Sequence, residues 1–416
     1  MILFCEECGT RHDIDDAQIG GDVFKFLCTV CHETLILSLA NKRQSKMVQA
    51  AMAQPELAST QIAREAKEDI LKILVVDDSK LIRRVLRDII ESDGRKKVIG
   101  EAENGKAALD FLVSEQPDVI TLDINMPVMD GLTTLKHIMI SRPVPTVMIS
   151  ALTKEGSLET FDSLKYGAID FLPKPSQVKG ADLNSQKEEI LRKIELAAGI
   201  QIESIRYLRR PSTEKEPGKN DAIPCLCLVA MGVAEGGYGA LLNVVPRLKE
   251  DLPAAYIAVM HQAPHHIDGF ARYLDQCSRL SVYRAADGMV LKGGRCYLAA
   301  ASEHVCLVQD GEQTILKVNA SPFPTPMGAI DMLMDSVSHT MKNRAAGVIL
   351  TGTGDDGVAG LGKIKEMGGK LFVQDPRSCL FKETPMKAAE RHTVDYLVSD
   401  KQMAGAISAF IKEHSK

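Results

Sequence analysis

Several absences narrow the possibilities before any motif is read. No stretch approaches eighteen consecutive apolar residues, so the chain offers no membrane-spanning helix. The opening MILF runs straight into Cys5, without the basic start and apolar core of a secretion signal, which points to a cytoplasmic chain. Positive charge is not in excess either. The 50 Lys and Arg face 55 Asp and Glu, a net charge of -5, and this balance gives no electrostatic case for nucleic acid as a partner. Finally, residues 228–276 contain no serine, threonine or cysteine, so that whole stretch lacks an aliphatic hydroxyl or thiol nucleophile.

What is present describes soluble globular material. A chain of 416 residues with 45% hydrophobic and 25% charged content is long enough for two or three domains. Ten cysteines in a reducing compartment stay as thiols unless a metal holds them. Four of them are spaced for one: Cys5, Cys8, Cys28 and Cys31 form C-x2-C-x19-C-x2-C, two hooks that can close a tetrahedral thiolate shell around Zn2+. A fragment this short cannot bury enough apolar surface to fold alone. Zinc binding, worth roughly 10–16 kcal/mol in small zinc peptides, supplies the deficit. Residues 1–39 are therefore expected to form a zinc ribbon, with a closed, structural site. FCEECGTRHDIDD and FLCTVCHETLIL resemble the small ribbon module at the front of many bacterial proteins. Since four thiolates fill the shell, His12 and His32 are read as surface residues. Whether such a ribbon binds protein or nucleic acid is not written in its mixed charges.

Residues 40–70, rich in Ala, Gln, Glu and Lys, read as a helical linker that Pro55 interrupts. From 71 to 182, short apolar runs (KILVV, VIGEA, DVITL, TVMI, AIDFL) alternate with helix-periodic segments, which predicts a doubly wound parallel sheet. The polar residues gather at the strands' carboxyl ends, where such sheets bind ligands. Asp77, Asp78 and Asp123 would repel one another unless a hard divalent cation joined them, and Mg2+ prefers oxygen ligands completed by a phosphate. Ser150 adds a hydroxyl and Lys174 an ammonium, both suited to phosphoryl oxygens. VVDDS, LDINMPVMDG, MISAL and LPKP are similar to the receiver domain of two-component response regulators. The resemblance implies that a sensor histidine kinase is the partner and that Asp123 accepts the phosphoryl group. It also implies that Asp78 and Asp123 hold Mg2+ with the backbone carbonyl of Asn125, that Asp77 assists, and that Ser150, Lys174 and Phe171 read the modification.

Residues 183–222 read as a helical and charged linker: one helix from Asn184 to Leu208, then RRPSTEKEPGKND, broken by Pro211 and Pro217. Strand-helix alternation resumes from 223 to 416 and predicts a second α/β sheet, interrupted by loops around Gly293–Ala301 and Ser321–Met327. In Leu228–Leu241, LVAMGVAEGGYGAL, an apolar strand stops at Gly236 and Gly237 and a helix pattern begins. The residue at such a bend stands at the sheet's carboxyl end beside a helix N-terminus that can hold developing negative charge. Hydrolases of several families place a serine there; this chain has Ala234. His261 follows the next strand-like run and Asp356 sits in TGTGDDGVAG, so the general base and its orienting carboxylate are present without the nucleophile.

MGVAEGGYGAL, MHQAPHHIDGFARYLD, DGMVLKGGRCYLAASEHVCLV, LTGTGDDGVAGL and QDPRSCLFKETP resemble, in this order, the catalytic domain of the chemotaxis protein-glutamate methylesterases. By that resemblance Ala234 stands at the nucleophilic serine's position. Glu235 replaces a usual threonine, Thr353 replaces a methionine near the site, and His261 and Asp356 match the other two triad members. Loss of such a nucleophile costs about 10^6 in turnover in well-studied hydrolases. The expectation is a response regulator whose esterase-like domain binds a methyl-accepting receptor or another protein partner without turning it over. Two alternatives stand beside it: a weak methylesterase or glutamine deamidase working through water activated by His261 and Asp356, and a regulator whose zinc ribbon carries the output. Glu235 is weighed as a water activator or a partner of His261, and His261, His265 and His266 as metal ligands on a loop; both are set below the triad reading. Cys227 is read as core.

Overall fold

The computed structural model describes residues 2–4, 11–13, 23–27, 34–38, 70–150, 158–175, 182–200, 223–311, 313–320 and 328–415. Near the start, β1 (Ile2–Phe4) pairs antiparallel with β2 (Arg11–Asp13), and β3 (Val23–Leu27) with β4 (Thr34–Ser38). Cys5, Cys8, Cys28 and Cys31 lie outside the described residues, as do Pro55 and nearly all of the 40–70 linker. Contacts divide the chain into two compact units, 1–120 with 125–144, and 121–124 with 145–416.

The expected alternation follows. It runs β5 (Leu71–Val76), α1 (Lys80–Glu91), β6 (Lys96–Ala102), α2 (Gly105–Ser114), β7 (Val119–Asp123), α3 (Gly131–Ser141), β8 (Thr146–Ser150), α4 (Leu158–Lys165), β9 (Asp170–Pro173) and α5 (Asp182–Ala198). The five strands form one sheet in the order β6-β5-β7-β8-β9. Every residue of β7 is buried, as expected of a strand covered by helices on both faces. Three loops enter helices through short polar caps: Ser79 accepts from the Ile82 amide, Asn104 from that of Ala107 and Asp130 from that of Thr133. Here the linker reading needs correction. The helix is not continuous to Leu208 but ends at Ala198, where the Gly199 amide turns back to the carbonyls of Glu195 and Leu196.

The remainder builds β10 (Cys227–Val233), α6 (Gly237–Val244), β11 (Ala254–Met260), α7 (Pro264–Cys277), β12 (Ser281–Arg284), β13 (Arg295–Ala300), β14 (Glu303–Asp310), β15 (Gln313–Ala320), α8 (Ala329–Met341), β16 (Ala345–Ile349), α9 (Val358–Glu366), β17 (Lys370–Gln374), α10 (Glu383–Arg391), β18 (Tyr396–Val398) and α11 (Asp400–His414). Seven of these strands form a sheet in the order β12-β13-β11-β10-β16-β17-β18, all parallel, while β14 and β15 make a separate antiparallel hairpin. The Gly293–Ala301 segment, read from sequence as a loop, is in fact largely β13, buried in the sheet beside β11. From Cys296 to Ala300 every residue is buried, so RCYLAA shows no period-two alternation. Ser321–Met327 lies outside the described residues. The chain leaves β10 to one side through β11 and later returns to its other side through β16. The carboxyl end of β10 is therefore the topological switch point, where open α/β sheets place their ligands. Among the described residues, no helix is long and apolar enough to cross a membrane.

Candidate functional site

In the first α/β sheet, Asp77 and Asp78 follow β5 and Asp123 ends β7. One carboxylate oxygen from each lies within 4.8 Å of the others. Asp77 and Asp123 are buried and Asp78 is exposed. Asp77 is held by the Ser79 amide, which donates to its Oδ1 at 2.8 Å, and Arg83 donates to its carbonyl at 2.7 Å. Lys174, just past β9, places its Nζ 2.7 Å from Asp123 Oδ2. Asn125 is exposed just past β7, Ser150 is the last residue of β8, and Phe171 is buried on β9. A set of hard carboxylate oxygens converging from two adjacent strand ends, with an ammonium beside one of them, is consistent with a Mg2+ site.

In the second sheet, the bend after β10 is built by two glycines. Gly236 has φ 74, the left-handed region, and a Cβ on Gly237 would fall 2.3 Å from Val233 Cγ1. Ala234 precedes them, 6% exposed. Its amide donates to the Thr351 carbonyl at 3.2 Å, and its carbonyl accepts from the Gly237 amide at 3.2 Å. A Cβ on Gly352 would come within 2.6 Å of Ala234 Cβ, so the glycine-rich loop after β16 passes directly against this residue. β10 and β11 run in register from Cys227 opposite Ala254 to Val233 opposite Met260. Ala234 and His261 are thus the next residues on neighbouring strands, and the His261 amide donates to the Val233 carbonyl at 3.0 Å. His261 Nε2 meets Asp356 Oδ2 at 2.8 Å. The same buried carboxylate accepts from the amides of Ile330 and Asp331, the first turn of α8.

Two groups near the bend were not both visible in sequence. Glu235 precedes the helix, and its partner is not His261. Glu235 Oε2 accepts from the Thr353 hydroxyl at 2.7 Å and amide at 3.1 Å, and Oε1 pairs with Arg192 of α5 at 2.8 Å. Burial pushes this carboxyl up, but the Thr353 hydroxyl and amide, its own amide and the Arg192 charge outweigh it and hold Glu235 below its usual range. A carboxylate kept ionised and occupied on both oxygens is a poor general base. That argues against Glu235 as a water activator and against Thr353 as a substitute nucleophile. Thr353 stood out in the sequence as an exchange, whereas Arg192 gave no signal, being one charge on a polar helix face. His265 and His266 belong to α7, not to a loop, and His266 is buried. The one cluster of metal-ligating groups found among the described residues is the acidic trio, which excludes the histidines.

The CheB methylesterase family matches residues 229–407, and the response regulator receiver domain matches residues 73–182. A relative from Pyrococcus horikoshii, named protein-glutamate methylesterase/protein-glutamine glutaminase, is 37% identical over 331 residues, covering 79% of this chain and 90% of its own. The chain belongs to the CheB family. A CheB relative from Geobacillus kaustophilus with the same name is 37% identical over 348 residues, covering 82% of this chain and 99% of its own. The crystal structure of the Thermotoga maritima CheB methylesterase catalytic domain aligns at 27% identity and TM-score 0.42, covering 45% of this chain and 98% of that one. As a CheB protein, the chain is a response regulator with a receiver domain and a methylesterase domain.

Proposed function

We propose that this protein is a phosphorylation-controlled regulator whose methylesterase domain recognises an ester-bearing receptor tail, or another protein partner, without cleaving it. A histidine kinase is the donor, with the phosphorus–nitrogen bond of its phosphohistidine breaking as a bond to an Asp123 oxygen forms. Asp77, Asp78, Asp123 and the Asn125 carbonyl hold Mg2+ there, and Ser150, Lys174 and Phe171 respond. The chain divides into a zinc ribbon at 1–39, a linker at 40–70, the receiver at 71–182, a second linker at 183–222 and the output domain at 223–416, all acting in the cytoplasm. The ribbon reading is supported by its paired strands. In sequence, Cys5 and Cys8 fall between β1 and β2, and Cys28 and Cys31 fall between β3 and β4, the C-x2-C spacing that two zinc hooks require.

The loss of turnover rests on one observation: the switch-point bend beside the His261–Asp356 pair carries a methyl group where an acyl-accepting oxygen is required. Without that oxygen no acyl-enzyme forms, and the base has nothing to deprotonate but water. The intact 2.8 Å pair also favours a second reading, slow hydrolysis of a glutamyl ester or glutamine amide by water that His261 activates. Methanol release from methylated receptor, measured on the protein phosphorylated by its kinase, decides between them. Binding without release supports the first reading, and release abolished by His261→Ala establishes the second. Ala234→Ser is expected to bring back part of the roughly 10^6-fold loss.

A further inference from the structure

Around the bend the chain has gained chemistry as well as lost it. Glu235, the neighbour of Ala234, receives two hydrogen bonds from Thr353, which fix its carboxylate from inside the domain. Its other oxygen faces outward to Arg192, with the Glu235 side chain 16% exposed and that of Arg192 51% exposed. Arg192 sits on α5, in the same compact unit as the whole methylesterase domain. One turn further along α5, Glu195 and Leu196, with Gly199 beyond its end, form one wall of a cleft of about 540 Å3. The opposite wall comes from Thr353 and from the segment between Pro376 and Met386, which includes Cys379, Leu380 and Phe381. Thr353 thus takes part in both features: it clamps Glu235 and lines the cleft.

We propose that the Glu235 carboxylate, pre-set by Thr353, is an electrostatic latch that holds α5 through Arg192 and thereby keeps the wall of this cleft in place. Glu235 and Arg192 are positioning residues in this scheme. Neither needs to touch what enters the cleft. The inference goes beyond the reading of a binding domain without turnover, and its test uses no catalysis, so the two fail separately. A carboxylate already immobilised by two donors loses little freedom on meeting a guanidinium, which favours the pair over an ordinary exposed one. The contact remains half open to solvent, so it is sensitive to salt.

Cys379 is the reporter that the cleft itself provides. It is 4% exposed, and burial pushes its thiol above the usual range, so it reacts only when the wall parts. The experiment follows alkylation of Cys379 in the full-length protein by peptide mass spectrometry, with iodoacetamide as the probe. Arg192→Glu, which sets two carboxylates against each other, is expected to raise the rate about fivefold, and Arg192→Lys to leave it near wild type. Glu235→Gln keeps an acceptor for Thr353 while discarding the charge, and is expected to fall between them. In 1 M NaCl, where screening acts over about 3 Å, the wild type and Arg192→Glu rates are expected to converge. Equal rates in all four proteins at low salt overturn the latch, and so does an acceleration by Arg192→Glu that persists undiminished in high salt.

Discussion

Asp356 joins His261 to the start of a helix. Its Oδ2 stands 2.8 Å from His261 Nε2, while the amides of Ile330 and Asp331 at the head of α8 donate to the same carboxylate. Those amides are among the orphan donors that every helix start must satisfy, and the helix dipole favours a negative charge there. The carboxylate that orients the histidine is therefore also a structural cap. This explains how the His–Asp pair can persist in a chain that has no serine at the bend: removing Asp356 carries a folding cost that is independent of catalysis.

The cost is measurable. Asp356→Ala leaves buried amides without an acceptor and is expected to destabilise the domain by about 1–3 kcal/mol, a fall in Tm of roughly 2–10 °C. Asp356→Asn retains a carbonyl oxygen for the α8 amides and should lose less than half as much. Thermal unfolding of the two variants checks this. Equal losses would show that the charge, and not the caps, is what stabilises.

A second prediction concerns Lys193, whose side chain is 3% exposed on α5. It donates to the Phe171 carbonyl at 2.8 Å and pairs with Asp170 at 3.2 Å. Lys193→Met leaves the buried Asp170 carboxylate, which still accepts from the Phe171 amide, without this cation, so a loss of about 3–5 kcal/mol is expected. Lys193→Met combined with Asp170→Asn should recover most of it. Urea denaturation of the single and double variants provides the comparison, and a double variant as weak as the single would contradict the ion-pair account.

Much of this architecture was legible in the order of the residues, for a physical reason. Parallel strands covered on both faces write themselves as short apolar runs, and β5, β7, β8, β10 and β11 all do so. The acidic trio and the His261–Asp356 pair were legible because strand ends in such a sheet are brought together by topology alone. β13 was not, since RCYLAA is buried on both faces from Cys296 onward and carries no alternation. Nor was the end of α5, because the apolar pattern in the sequence continues beyond Ala198. Arg192 meeting Glu235 was out of reach altogether, because a contact between an exposed helix face and a distant bend leaves no trace in local sequence.

The receiver makes a direct forecast. With a small phosphoryl donor such as acetyl phosphate and Mg2+, the protein should take up label that chelation with EDTA abolishes. Asp123→Asn should remove the label by deleting the accepting oxygen. Asp78→Ala should weaken Mg2+ binding, because two of the three converging carboxylates remain. Label persisting in Asp123→Asn would move the acceptor elsewhere.

The pH dependence of stability offers a last, independent check, through His266 on α7. Burial holds this imidazole down to about 3, with the neighbouring charges of His265 and Lys193 acting in the same direction, and the Phe171 ring lies 5.5 Å away. In the unfolded chain the same group titrates near 6.5. Above that pH both states hold a neutral ring and the group contributes nothing to the pH dependence. As pH falls below it, only the unfolded state gains the proton, so stability drops by about 1.4 kcal/mol per pH unit until the folded ring titrates as well. Between pH 7 and pH 5 the wild type is therefore expected to lose about 2 kcal/mol more than His266→Phe, whose side chain binds no proton in either state. Denaturant midpoints at the two pH values measure the difference, and parallel losses in both proteins would mean that the imidazole is protonated in place.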